Sequence, residues 1–273
     1  MSVSTTQSAS TKEKGPMNNE KKETKVKIAG PGPSYLDHHF RSPLNLGPRK
    51  TPTIPNGGVW SVYAETDIPT PPKYPYTAIV EIQQWRDWNS FTPDVLVTKH
   101  PNAHSRSIKM SQGTFMTFTV QLTPTERIQT KTVCQHLEPL KHRADGHKSH
   151  TAGHNVTRIR WTSDNANLLT PGFVLKEERV NEIEEMDDGT CKYRTWLTFA
   201  GMASKSLRKK YGEAYQQKIQ DFARDLRERC VVLYKEDQKG GTAVEVGLGK
   251  VGAEGERLQP VAEIHSTTTT PAA

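Results

Sequence analysis

The sequence predicts an α+β domain: a curved antiparallel sheet of about six to seven strands wrapped around one long C-terminal helix, with two short helices after the first strand. Three observations predict it. Tyr211, Tyr215, Ile219, Phe222, Leu226, Cys230 and Leu233 recur at steps of three and four, which sets them on one side of a helix at 3.6 residues per turn. Strand-like segments follow one another from Val95 to Ala200 with no helical segment among them. Parallel pairing needs long crossovers, so an antiparallel meander is the natural arrangement. A helix with one wide apolar stripe must then lie against something, most simply that sheet.

Val59 to Ile68 reads as the first strand, rich in Val, Trp and Tyr and closed by Pro69. A loop with Pro69, Pro71, Pro72 and Pro75 follows. Thr77 then opens a short helix in which Ala78, Ile79, Ile82 and Trp85 share a face. The next strands are Val95–Lys99, Ser107–Met110, Thr114–Leu122, Ile128–His136, Val156–Trp161, Phe173–Ile183 and Thr190–Ala200. Asp187-Asp188-Gly189 joins the last two as a hairpin turn. Gly201 stops the last strand, and the long helix runs from Ser204 to Lys235. Its far side is charged: Lys209, Lys210, Lys218, Asp221, Arg224, Asp225, Arg227 and Glu228.

The ends are different material. Of 273 residues 33% are hydrophobic, and mean hydropathy is -0.72, which is low for a chain packed throughout. Residues 1–56 are expected to be a disordered tail and a Pro-rich lead-in, in which Tyr35, Leu36, Phe40, Leu44 and Leu46 offer a piece that docks. Residues 57–236 form the domain. Residues 237–273 are Gly-, Thr-, Glu- and Pro-rich and are expected to be a disordered tail.

Several functional classes are set aside. No apolar run approaches the length of a membrane span, and Met1 to Asn18 resemble neither a secretory signal nor a presequence. Cys134, Cys191 and Cys230 are odd in number and widely spaced, which fits a reducing compartment and a cytoplasmic location. Asn155-Val156-Thr157 is then an incidental sequon. The net charge of +7 permits nucleic-acid contact, but the aromatics fall on the apolar side of the long helix rather than among Lys205, Arg208, Lys209 and Lys210. No nucleic acid and no stable membrane insertion are expected, and protein partners are left open.

Local motifs yield little chemistry. Gly247-Leu248-Gly249-Lys250-Val251-Gly252 matches a dinucleotide fingerprint, but too little chain follows for the required strand–helix–strand unit. His136, His142, His147, His150 and His154 cluster beside Cys134. Asp145-Gly146, Gly153 and the nearby lysines make that stretch a loop, and no carboxylate completes a metal site. Glu184, Glu185, Asp187 and Asp188 are most simply a hairpin rim. No nucleophile elbow is present. No cofactor and no metal are expected.

The element order and two motifs resemble the START-like (helix-grip) superfamily, which includes polyketide cyclase/dehydrase-like proteins, coenzyme Q-binding START proteins and birch-pollen-allergen proteins. Trp85-Arg86-Asp87-Trp88-Asn89-Ser90-Phe91-Thr92-Pro93 is similar to the family's segment between the second short helix and strand two. Thr195-Trp196-Leu197-Thr198-Phe199-Ala200-Gly201 is similar to its last strand, and Val156–Trp161 to its strand ending in Trp. The chain departs from the family in its longer Pro69–Pro75 loop and its His-rich insertion.

The resemblance implies a cavity between sheet and long helix that binds a hydrophobic small molecule, a polyketide, lipid or isoprenoid-like compound, and it suggests a role in specialised-metabolite biosynthesis. The implied ligand-binding residues are Phe118, Trp161, Tyr193, Leu197, Tyr211, Tyr215 and Phe222, among apolar parities that also include Met116, Val120, Ile159, Phe199 and Ile219. Read without the resemblance, the same side chains are ordinary core. On the helix, Leu226, Cys230 and Leu233 are expected to be plain core. The alternatives are a cyclase or dehydratase in the same cavity, with Tyr193, Tyr211, Tyr215 or Arg160 as the polar groups, and a non-catalytic interaction protein with a filled core. Arg160 sits on the strand face opposite Trp161. Two or more inward polar groups near one another in the cavity would favour the enzyme, a purely apolar cavity the carrier, and no cavity the interaction protein.

Overall fold

The computed structural model describes residues 47–102, 108–142, 155–164 and 171–248. Strand β1 (Trp60–Ile68) leads to helix α1 (Lys73–Val80) and a 3-10 segment (Ile82–Asp87). Strands β2 (Asp94–Lys99), β3 (Phe115–Gln121), β4 (Arg127–Leu137), β5 (Val156–Ser163), β6 (Lys176–Glu185) and β7 (Cys191–Ala200) follow, and helix α2 (Ser204–Leu248) closes the order. The strands form one sheet in the order β1-β7-β6-β5-β4-β3-β2, and each neighbouring pair is antiparallel. The meander puts β7 beside both β6 and β1, so the sheet curls and α2 lies in its concave side.

Local chemistry explains the boundaries. Helix α1 starts at Lys73, four residues before Thr77, and includes Pro75. Pro75 lies in the first turn, where its missing N–H has no helical partner to lose. Part of the expected Pro-rich loop is therefore helix. Ile82 and Trp85 continue the same buried face on the tighter 3-10 turn. Residues 108–110, expected in a strand, are irregular; Met110 N–H bonds the carbonyl that ends α1, at Val80 (2.7 Å), rather than a strand. Strand β6 begins at Lys176 rather than Phe173, because Pro171 opens a turn closed by Val174 N–H (2.8 Å).

The hairpin at Asp187–Gly189 is as expected, with Gly189 at φ 77° and Met186 N–H on the Thr190 carbonyl at 2.8 Å. Gly201 is required by two facts at once. Its φ is 96°, and a Cβ there would sit 2.6 Å from the Val174 carbonyl oxygen.

Helix α2 runs past the expected end at Lys235 to Leu248. Glu236, Asp237, Gln238 and Lys239 carry it on as polar residues, most of them good helix formers. Tyr74 and Lys73 hold that extension by hydrogen bonds to Asp237 Oδ2 at 2.7 and 2.9 Å.

The core lies between sheet and helix. Trp85 is fully buried at its centre, with ring centroids 5.5 Å from Phe118, 5.9 Å from Trp161 and 5.9 Å from Phe222. Its indole N–H is shared by the Ala78 and Ile79 carbonyls at 3.2 Å each, so a large ring is buried with its one donor satisfied.

The convex face is also covered. Arg49, Thr51 and Ile54 are buried against it. Thr198 Oγ1 donates to the Arg49 carbonyl (2.7 Å), and Thr53 N–H and Oγ1 donate to Glu178 Oε2 at 2.7 and 2.6 Å. Arg160 Nη1 completes Glu178 at 2.9 Å. Residues 47–56 thus belong to the folded unit. Residues 237–248, expected in the disordered C-terminal tail, are likewise helical; residues 1–46, with the docking candidates Tyr35 to Leu46, and 249–273 lie outside the described residues.

Candidate functional site: a half-polar cavity between sheet and helix

Side-chain parity on the central strands builds the site. Strand β3 turns Met116, Phe118 and Val120 inward, and β5 turns Ile159 and Trp161 inward. Strand β7 contributes Tyr193, Thr195, Leu197 and Phe199. Its register pairs Phe199 with Glu177, Leu197 with Arg179, Thr195 with Asn181 and Tyr193 with Ile183. Directly opposed residues share a face, so β6 sends Glu177, Arg179 and Asn181 into the concave side.

These side chains enclose a cavity of about 30 Å³, enough for a water or two or one small polar group. Phe91, Phe118, Val120, Trp161, Leu197 and Tyr215 supply its apolar wall. Glu177, Arg179, Thr92, Thr130 and Thr132 supply the polar one, with Thr162 also bordering the space. Glu177 is surrounded by protein yet keeps some free surface, because it borders this space. Burial pushes its carboxyl up to about 7, since an ionised carboxylate is penalised where water is scarce. Burial also raises the Tyr215 hydroxyl, with Glu177 and Tyr211 adding to it.

Arg179 is 3% exposed. Its Nε donates to Thr195 Oγ1 at 3.0 Å, and its guanidinium lies 3.9 Å over the Phe222 ring. Behind it runs a satisfied polar chain. Tyr193 OH donates to Asn181 Oδ1 (2.7 Å), Asn181 Nδ2 donates to the Ile159 carbonyl (3.1 Å), and Thr195 Oγ1 reaches both the Val180 carbonyl (3.0 Å) and Asn181 Oδ1 (3.1 Å).

Of the seven residues expected to bind a ligand, Phe118, Trp161, Leu197 and Tyr215 border the cavity. Tyr193 and Phe222 are fully buried and pack beside it rather than on it. Tyr211 is half-buried, and its hydroxyl meets Glu126 Oε1 (3.3 Å) in the β3–β4 turn. Leu226 and Cys230 are fully buried and Leu233 partly so. Arg160 faces outward, onto Glu178.

Glu177 and Arg179 escaped the sequence reading for a physical reason. The run Glu177-Glu178-Arg179-Val180-Asn181-Glu182 has polar residues on both parities, so alternation does not say which face is inside. Only the pairing with β7 does.

The remaining candidates recede. Burial pushes the thiols of Cys134 and Cys191 up to about 12 and raises that of Cys230, so all three are unreactive thiols at neutral pH. His147, His150 and His154 lie outside the described residues, as does the motif's end beyond Leu248. Among the described residues no three His, Cys, Asp or Glu side chains converge as a metal site, and no helix is long and apolar enough to cross a membrane. A groove of about 570 Å³ runs outside the grip between β1 and α2. It is open and polar, and Gln216 spans it to pair the β1 edge at Tyr63 N–H and C=O (3.2 and 2.8 Å).

A seven-stranded antiparallel sheet curled around a long C-terminal helix, with short helices after the first strand, is the helix-grip fold of START-like proteins. No protein-family model matches the chain. The chain is 28% identical over 145 residues, 50% of its own length and 67% of the other's, to the oxopyrrolidines biosynthesis cluster protein O of Penicillium oxalicum. Among solved structures it is similar to a hypothetical protein from Helicobacter pylori (TM-score 0.48, 13% identity, 64% of this chain and 90% of that one). It is also similar to a START superfamily protein from Mycobacterium smegmatis (TM-score 0.40, 10% identity, 63% and 98%).

Proposed function

We propose that the protein binds a hydrophobic small molecule between its sheet and C-terminal helix, in the service of specialised-metabolite biosynthesis. The observation that carries the reading is the cavity: an aromatic and aliphatic wall closed on one side by a few polar groups, the usual composition of a small-molecule site. The relative named for an oxopyrrolidine biosynthesis cluster supports the metabolic setting. At about 30 Å³ the cavity holds a ligand's polar end and no more, so binding widens it. Native mass spectrometry of protein purified from its own source tests this. A co-purifying apolar compound is the expected result. No such compound, and no thermal shift with a panel of lipids and polyketides, sinks the proposal.

The inward carboxyl and guanidinium favour a second reading, a cyclase or dehydratase in the same space. A carboxyl titrating near neutrality is suited to move a proton, and a buried guanidinium to hold developing charge on a carbonyl oxygen. Glu177 would be the acid–base group and Arg179 the oxygen-binding one. Loss of product in a strain carrying Glu177→Gln, with ligand still co-purifying, would separate enzyme from carrier. An unchanged product profile would refute catalysis by Glu177.

A further inference from the structure

The polar wall of the cavity is electrically unbalanced. Arg179 is almost wholly buried, and its Nη2 has no hydrogen-bond partner among the described residues. Its one side-chain acceptor in hydrogen-bonding geometry is the Thr195 hydroxyl. Three aromatic rings surround it, with centroids 3.9 Å (Phe222), 5.3 Å (Trp161) and 5.6 Å (Phe91) from Cζ. Burial lowers its proton affinity, and only the Tyr193 phenol opposes that. Among the described residues no carboxylate is ion-paired with it.

Two half-buried arginines close by are treated differently. Arg158 and Arg160, on the outer face of the neighbouring strand, meet Glu182 and Glu178 at 3.0 and 2.9 Å. These two outward arginines are ion-paired, whereas Arg179 is not, although the Glu177 carboxyl borders the same cavity. A guanidinium that stays charged at this depth calls for an anionic oxygen, and its flat fork suits a carboxylate or an enolate.

We propose that the cavity selects apolar molecules bearing one acidic oxygen head, a carboxylate or an ionised enol, and that Arg179 Nη2 holds that head while the aromatic wall holds the body. The proposal rests on the binding function above and names its ligand class. Neutral lipids and hydrocarbons would be poor ligands, because they leave the guanidinium bare. Thr132 Oγ1, which borders the same cavity and also has no partner, is a second polar group available to the head.

The test is isothermal titration calorimetry of the full chain with a matched pair, 2-naphthoate and 2-naphthamide, which share an aromatic body and differ in charge. Wild-type protein is expected to bind the carboxylate at least ten-fold more tightly, the margin of a charge-assisted hydrogen bond. Arg179→Met should abolish that preference by weakening the carboxylate at least ten-fold more than the amide, and Arg179→Lys should keep part of it. Equal affinity for both probes, or a preference that survives Arg179→Met, overturns the proposal. So does a neutral compound in the native mass spectrum, which leaves the binding function standing. Failure of both probes to bind, together with an empty native spectrum, removes the binding function and this inference together.

Discussion

Replacing Arg179 with methionine should make the unliganded protein more stable, against the usual sign for a buried residue. Burying a guanidinium costs several kcal/mol even after relaxation. Against this, the charged hydrogen bond to Thr195 contributes about 1.5–3 kcal/mol, and the contact 3.9 Å over Phe222 contributes about 2 kcal/mol. The two roughly offset the desolvation and leave no surplus.

Methionine has a similar reach, carries no desolvation cost, and its sulfur retains about 0.3–1.5 kcal/mol against the aromatic ring. Nothing is orphaned by the change. Thr195 Oγ1 still donates to the Val180 carbonyl or Asn181, and Tyr193 still donates to Asn181. We expect a gain of about 1–2 kcal/mol, at the low end of the ~1–4 kcal/mol found when buried ionic groups are replaced by packed apolar ones. For a domain of this size that is a rise in Tm of about 2–8 °C. Thermal and urea denaturation at pH 7, followed by circular dichroism, measures it on ligand-stripped protein. A loss of more than about 1 kcal/mol would refute the reasoning, since it would mean that Arg179 is already satisfied in the empty protein. A buried charge that adds no net stability to the empty protein fits a binding role.

Glu177→Gln should change how stability depends on pH. The folded carboxyl holds its proton up to about 7, whereas the unfolded one releases it near 4.3, so the folded state binds more protons between those values. Stability from this group is full below about pH 4.3 and falls as pH rises through 7, by about 4 kcal/mol in all. The variant should match wild type at pH 4 and exceed it at pH 8; equal stabilities at pH 8 would contradict the buried carboxyl. Phe222→Ala removes the ring shared by Trp85, Trp88, Tyr193 and Arg179 and should cost about 3–5 kcal/mol in urea melts. Gly201→Ala forces a side chain onto φ 96° and to within 2.6 Å of the Val174 carbonyl; a loss of about 2 kcal/mol is expected, and a neutral result would place no strain at this turn.

Much of the architecture was legible in the sequence because it rests on periodicity. The seven-residue stripe from Tyr211 to Leu233 specified the long helix, and clean alternation at Met116-Thr117-Phe118-Thr119-Val120 specified both a strand and its inner face. Asp187-Asp188-Gly189 specified the last hairpin. Each of these signals is local, so one sequence suffices to read it. The end of the long helix was not legible, since polar helix formers after Lys235 carry no stripe and are held by Lys73 and Tyr74 from another element. Nor was the docking of residues 47–56, which depends on acceptors and donors at Glu178 and Thr198 far along the chain.

The candidate site divides in the same way. Phe118, Trp161, Leu197 and Tyr215 could be placed on the cavity by parity, because each lies in an element with one apolar face. Tyr193 and Phe222 share that parity, yet close packing against Asn181 and against Trp85 and Trp88 fills the space before them. Glu177 and Arg179 sit in a strand polar on both faces, where local pattern is silent. Sequence alone determined which side chains are able to face inward and that a tight turn joins β6 to β7; the structure decided the exact register, Glu177 opposite Phe199 and Arg179 opposite Leu197, that turns a carboxyl and a guanidinium without an ion pair into the interior. Register is set by the turn and by the packing of one face against the helix, and no stretch of β6 read by itself contains it.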